Sequence, residues 1–413
     1  MEEHKGIWIV AGLLVLLIAV IGGMELLKRS ADPILEASTP KSLVTTFKDD
    51  PMTSRAFTWH TERTDLKSVV QLIEGKYTDK SQFEEQNVIT VEGESSTIEV
   101  GGGVQQGVHK VNVVDLQPST TYTYRVGSGE ASEWSELAVF QTQSEDLSAF
   151  TFINVTDSQG KTEQDFELWG KTLDKAFELF PDAQFIVHNG DLTDDPKKEA
   201  SWDFFFSKAK QWVTRIPLMP VTGNHDEIDK DADRYASHFY LPDNGSAKSN
   251  PGTTYSFDYG PVHFVVLNTE SKVKDQTEWL RKDLASTDKP WKIVALHDGP
   301  YGGSQEKSIL KRWVPVFDEY EVDLVLQGHN HEYVRSKPMR NDQVVEENEG
   351  TIYVVTHSSG SKFNEKKDDL YYHEVHFKYT KQVFAAVQIS GDTLTFQAYD
   401  ISGQPIDEFT IVH

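Results

Sequence analysis

Seven side chains able to bind a metal or move a proton stand at five places along this chain, each just after a short apolar run. "FINV" leads to Asp157 in "TDSQG", and "FIVHN" to Asp191 in "GDLTDD". "PLMPV" leads to Asn224 and His225 in "TGNHDE". "IVAL" leads to His297 in "HDGP", and "LVLQ" to His329 and His331 in "GHNH". A lone His-x-His pair arises by chance. Five strand exits in order, each with such a residue, do not. Where strands alternate with helices, groups at the carboxyl ends of strands gather on one edge of the sheet. Two carboxylates, one amide oxygen and three imidazoles suit two divalent ions, with one carboxylate shared and positions left for water and substrate. The glycines at 190, 223 and 328 let the backbone turn so that these side chains face the sheet edge.

The elements that position them follow from pattern. From Ala149 onward, "AFTFINV", "QFIVH", "PLMPV", "HFVVLN", "KIVAL", "DLVLQ" and "TIYVV" are short buried-strand runs. Between them, Phe166, Trp169, Leu173, Phe177 and Phe180 recur every three or four residues, as do Trp202, Phe205, Ala209 and Trp212. Each set makes one apolar helix face, expected to be core. The tail from Val383 reads as three strands joined by glycine turns. The region 149–413 therefore predicts two packed sheets with helices outside. Before it, 42–145 alternates without a helical period. Tyr122, Tyr124 and Val126 follow a Pro-Ser turn, and Phe140 lies in the last strand, which predicts a β-sandwich.

The chain has 413 residues, enough for two or three domains, and 38% of them are hydrophobic. Its formal net charge is −25, which argues against a nucleic-acid duplex as partner. Cysteine is absent, so thiolate ligands and disulfides are excluded. Residues 6–24 carry no charge over about one bilayer thickness, which predicts a membrane anchor over 1–29 and a tether over 30–41. The expected placement is single-pass in the cell membrane, with the catalytic region outside. Lys5 before the run, against Lys28 and Arg29 after it, argues for the opposite orientation. Nothing in the sequence fixes an oligomeric state.

The ordered set D…GD…GNH…H…GHxH resembles the calcineurin-like metallophosphoesterases. With the "L-x-P-x-T-x-Y-x-Y-R-V-G" sandwich before it, the chain looks most like their purple acid phosphatase branch. The resemblance implies a four-layer α/β/β/α sandwich behind a fibronectin III-like domain. It also implies a dinuclear hydrolase in which a metal-bridging hydroxide attacks a phosphomonoester. Asp157 and His331 would hold the first ion, and Asn224, His297 and His329 the second, with Asp191 between them. His225 would serve the leaving oxygen, with Asp226 orienting its ring or capping a helix. Asn224 and His225 would also meet the substrate, as His357 could. Gln159 stands where many relatives have a histidine. It either offers its carbonyl oxygen to the first ion or forms a hydrogen bond behind it. Asp194 replaces the tyrosine that colours the purple enzymes, so the expected ions are two divalent ones, manganese, zinc or ferrous iron, in a protein that is not purple. "GGSQEKS" lacks the phosphate-holding histidines of plant-like members. Phosphodiesters, nucleotides and pyrophosphates therefore stay open as substrates. A non-catalytic surface binding protein is the remaining alternative. His188, His60, His109 and His238 are expected to be packing residues.

Overall fold

The computed structural model describes residues 37–85, 87–130, 133–228 and 230–413. The expected anchor and most of the expected tether lie outside them. Among the described residues, no helix is long and apolar enough to cross a membrane.

The first region is a sandwich of two four-stranded antiparallel sheets. One runs in the order Lys41–Thr46, Arg55–Thr61, Gln105–Val113, Glu94–Glu99, the other Ile89–Glu92, Val69–Glu74, Thr121–Gly127, Ala138–Gln141. Phe57, Trp59, Val70, Leu72, Val111, Tyr124 and Phe140 fill its core. Gln117 donates its backbone N–H to Tyr122 Oη at 3.0 Å, which ties the Pro-Ser corner to the strand it enters. Every residue of Arg55–Thr61 is buried, on both faces. The second face is covered by the rest of the chain. Tyr124 Oη donates to the Thr214 carbonyl at 2.6 Å, and Lys110 Nζ donates to the carbonyls of Ala236 and Phe239 at 2.7 and 2.8 Å.

The second region holds two sheets face to face. One has six strands, in the order Leu218–Pro220, Ile186–His188, Ala149–Val155, Val383–Ser390, Thr393–Asp400, Pro405–Val412. The other has seven, in the order Tyr255–Tyr259, Val262–Val266, Trp291–Ala295, Leu324–Gln327, Ile352–Thr356, Tyr333–Ser336, His373–Phe377. A single apolar core lies between them, with Phe152, Phe185, Phe257 and Phe264 at its centre. The helices Glu163–Leu179 and Glu199–Val213 cover the first sheet. A capping box between Thr162 and Asp165 starts the first helix, and its buried side is Phe166, Trp169, Leu173, Ala176 and Phe177. Each of its Phe and Leu side chains contributes about 1.5–3 kcal/mol on burial. The helices Val273–Ser286, Lys307–Arg312 and Val314–Glu319 pack in the core behind the second sheet.

Register places the site. His188 pairs with Val155 and with Pro220, so three parallel strands end level. In the second sheet, Ala295 pairs with Leu326 and Leu326 with Val354, so three more end within two residues of one another. Asn189 Nδ2 joins the two edges by donating to the carbonyls of Leu296 and Leu326, at 3.1 and 2.7 Å.

Candidate metal centre

At this joined edge the backbone is forced into an uncommon shape. Asp157, Asp191, His329, His331 and His357 all have positive φ, between 51° and 70°. Non-glycine residues adopt this only at a cost of order 1–3 kcal/mol each, held by their surroundings, and such residues gather at functional sites. Of the three glycines expected to turn the chain, Gly190 has φ 92° and does so. Gly223 and Gly328 serve close approach instead. A Cβ at 223 would lie 2.2 Å from Asp191 Oδ1, and one at 328 would lie 2.2 Å from Thr156 Oγ1.

The side chains converge in two groups that share Asp191. In the first, His331 Nε2 is 3.2 Å from Asp157 Oδ1. Gln159 Nε2 is 3.2 Å from His331 Nε2 and donates to Asp191 Oδ2 at 3.0 Å. In the second, Asn224 Oδ1 is 3.2 Å from His297 Nε2 and 2.9 Å from His329 Nδ1. Asp191 Oδ1 is 3.3 Å from His297 Nε2 and accepts the His225 backbone N–H at 2.8 Å. Thus one oxygen of Asp191 faces each group. Asp157, Asp191, His297 and His331 are buried, His329 and His225 half-buried, and Asn224 exposed, so the cluster opens on that side.

Burial disfavours charge on Asp191, yet His297 and His225 hold its carboxyl well below the usual carboxylate range. Burial also opposes charge on His297, but the Asp191 carboxylate keeps it well above its ordinary value. His297 Nδ1 meets the Asn189 carbonyl at 2.7 Å and His331 Nδ1 the Lys362 carbonyl at 2.8 Å. In the neutral rings that metal binding requires, these contacts assign hydrogen to Nδ1 and leave each Nε2 lone pair turned into the cluster. Asp157 Oδ1 and Gln159 Oε1 are buried with no hydrogen-bond partner. A donor set of this kind, with orphaned oxygens beside free imidazole nitrogens, fits cations.

Gln159 reaches both groups through its amide nitrogen, while its carbonyl oxygen is left without a partner. His225 Nδ1 meets the Asp194 carbonyl at 2.8 Å. The Asp194 carboxylate pairs with Lys161 Nζ at 3.7 Å. Two expectations need correction. Asp226 neither orients the His225 ring nor caps a helix. It is fully buried and accepts backbone N–H groups from Leu192 at 3.0 Å and Gly223 at 2.9 Å, which clamps one site loop to the other. His357 has no exposed surface to offer a substrate, and its Nε2 meets the Tyr379 carbonyl at 3.1 Å. His188 packs as expected, with Nε2 2.9 Å from Ser158 Oγ. Glu306 caps the helix Lys307–Arg312.

Sequence reasoning passed over the supports. Thr156 Oγ1 donates to Asp157 Oδ2 at 2.6 Å, and Ser358 Oγ to the Asp157 carbonyl at 2.8 Å. Asn189 was visible beside "GD", but the Lys362 carbonyl belongs to a distant loop and carries no side-chain signal. His60 and His238 do pack, but together. They stack at 4.1 Å beside Glu199 where the sandwich meets the second region.

Two phosphatase-related family models match separate parts of this chain. The chain carries a calcineurin-like phosphoesterase domain over residues 150–333, behind a purple acid phosphatase N-terminal domain over 40–142. It is 29% identical over 294 residues to purple acid phosphatase 15 of Arabidopsis thaliana, covering 62% of this chain and 54% of that protein. It is 25% identical over 307 residues to probable inactive purple acid phosphatase 27 of the same plant, covering 62% and 49%. The chain thus spans about half the length of these relatives. Its fold matches the purple acid phosphatase PPD1 of yellow lupin (Lupinus luteus) seeds with a TM-score of 0.77, at 19% identity, over 91% of this chain and 74% of that one.

Proposed function

We propose that the chain hydrolyses phosphomonoesters at a pair of divalent ions. The observation that carries this reading is Asp191, whose two oxygens face two separate groups of nitrogen and oxygen donors. Asp157 and His331 would hold one ion, with Gln159 beside it, and Asn224, His297 and His329 the other, with Asp191 shared. When bound, the ions supply an acidified water and positive charge to hold phosphoryl oxygens. The other groups belong to the chain. The Asp194 carbonyl fixes the His225 ring through Nδ1, so a protonated His225 presents Nε2–H to the leaving oxygen. Exposed Asn224 and half-buried His225 flank the open side and would meet the ester. The apolar run 6–24 would hold the chain at a cell membrane, with the catalytic region outside. Protease treatment of intact cells tests that placement, since a protected catalytic region reverses it.

The purified chain, stripped of metal, is tested on nitrophenyl phosphate and bis(nitrophenyl) phosphate as Mn²⁺, Zn²⁺ or Fe²⁺ is restored. Metal-dependent turnover, faster on the monoester and lost in Asp191→Asn, is the expected result. A faster diester rate moves the substrate class. No turnover with any metal favours the binding-protein alternative.

A further inference from the structure

A second group of histidines lies on the edge strand His373–Phe377 and the loop before it. Asp369, His373 and His376 follow a D-x3-H-x2-H spacing, and one ligand atom from each lies within 4.8 Å of the others. His376 Nδ1 is 2.9 Å from Asp369 Oδ1, and His373 Nδ1 is 3.9 Å from the same oxygen. The far nitrogens are held from behind. His376 Nε2 meets Glu332 Oε2 at 2.8 Å, and His373 Nε2 meets the Gly302 carbonyl at 3.0 Å. Glu332 is fully buried, and its other oxygen has no partner. A histidine that ligates a metal through one nitrogen almost always donates the other N–H to a carboxylate or a backbone carbonyl. Both histidines already do this, one in each way. Both Nδ1 atoms therefore converge on the Asp369 carboxylate.

We propose that Asp369, His373 and His376 form a further cation site, separate from the paired site, for a borderline divalent ion of the zinc class. Two imidazoles and one carboxylate with an open fourth position suit such an ion. Two contacts compete with it. Lys366 Nζ lies 2.8 Å from Asp369 Oδ1, and the Leu370 N–H donates to His373 Nδ1 at 3.0 Å. The first is a surface ion pair of little strength. The second is one backbone hydrogen bond, released to water at the loop. The site would act as a fastener. The same loop supplies the Lys362 carbonyl to His331 Nδ1, and Asn364 donates to the backbone carbonyls of His331 and Asn330. An ion joining Asp369 to the strand would close that loop behind the paired site.

The full chain is dialysed against buffered Zn²⁺, and bound zinc per chain is counted with and without Asp369→Ala. The same pair is compared in an Asp191→Asn background, which weakens the paired site alone. Asp369 is 65% exposed, so its replacement leaves the core intact. The expected result is one zinc ion fewer per chain with Asp369→Ala in both backgrounds, and the same loss with His373→Ala. Equal zinc contents with and without Asp369→Ala overturn the proposal and leave the cluster an ion-pair network.

Discussion

His331 Nε2 stands 3.2 Å from Asp157 Oδ1, the one oxygen of that carboxylate with no hydrogen bond. The other oxygen accepts from Thr156 Oγ1 and from the His329 N–H. A buried carboxylate oxygen left unpaired is costly, and a cation between it and the imidazole removes the cost. Asp157→Asn should therefore lose one of the two ions while the fold survives. Turnover should fall by more than about 100-fold, since supports behind a ligand already cost 10–100-fold when removed. Metal content and rate are measured on one preparation. Retention of both ions by the Asp157→Asn variant would contradict the assignment.

The ring of His225 hangs from the Asp194 carbonyl, and its backbone N–H is bonded to Asp191. Its position is thus set by the loops and not by an ion. His225→Ala should keep both ions and lower kcat on an alkyl phosphate by about 10²–10⁴, the usual worth of a positioned acid. The loss should be small for nitrophenyl phosphate, whose leaving group needs little protonation, and large for an alkyl phosphate. Equal losses on both esters would mean that the ring only positions the substrate.

Asp226 gives a contrasting result. Burial and the nearby Asp191 charge push its carboxyl well above the usual range. Its contacts are two buried N–H groups of different loops. Asp226→Ala strands both, at about 1–3 kcal/mol each. The expected outcome is a loss of about 2–6 kcal/mol in urea unfolding of the metal-free chain, with an unchanged kcat pH profile in the fraction that still binds metal. A shifted profile with unchanged stability would restore a proton-handling role.

The paired site was legible because each ligand follows a buried strand directly, so a one-dimensional pattern carried a three-dimensional edge. Its supports were not. Asp226 stands beside His225 in sequence, which suggested a local partner, yet its partners are backbone groups of two loops. His357 ends a strand as the ligands do, but the Tyr379 carbonyl holds its ring inside. The helix Val273–Ser286 escaped notice because one of its buried positions is Gln276, which bonds Asn268 and Ser271 and breaks the apolar period. Of the two outlying histidine clusters, one is assembled by the meeting of distant segments, and the other is local in sequence but takes its supports from elsewhere. His60 and His238 join across two domains, and Glu332 reaches His376 across neighbouring strands.

His263 carries the last prediction, far from any proposed ligand. Its ring lies between Asp258 and Asp283, 2.7 Å from one and 2.9 Å from the other. Burial works against its charge, but the two carboxylates raise its pKa from 6.5 to about 9. The folded state therefore binds this proton more tightly than the unfolded chain. The resulting stability is complete below pH 6.5 and is lost as pH rises through about 9. A shift of this size is worth at most about 3 kcal/mol, less what solvent screens at the half-exposed Asp258. Urea midpoints of the wild-type chain should fall as pH rises from 6.5 to about 9, and those of His263→Gln should fall much less. The difference between the two slopes isolates this ring from the other groups that titrate in the window. Parallel slopes would show that the Asp258–His263–Asp283 contact contributes nothing to stability.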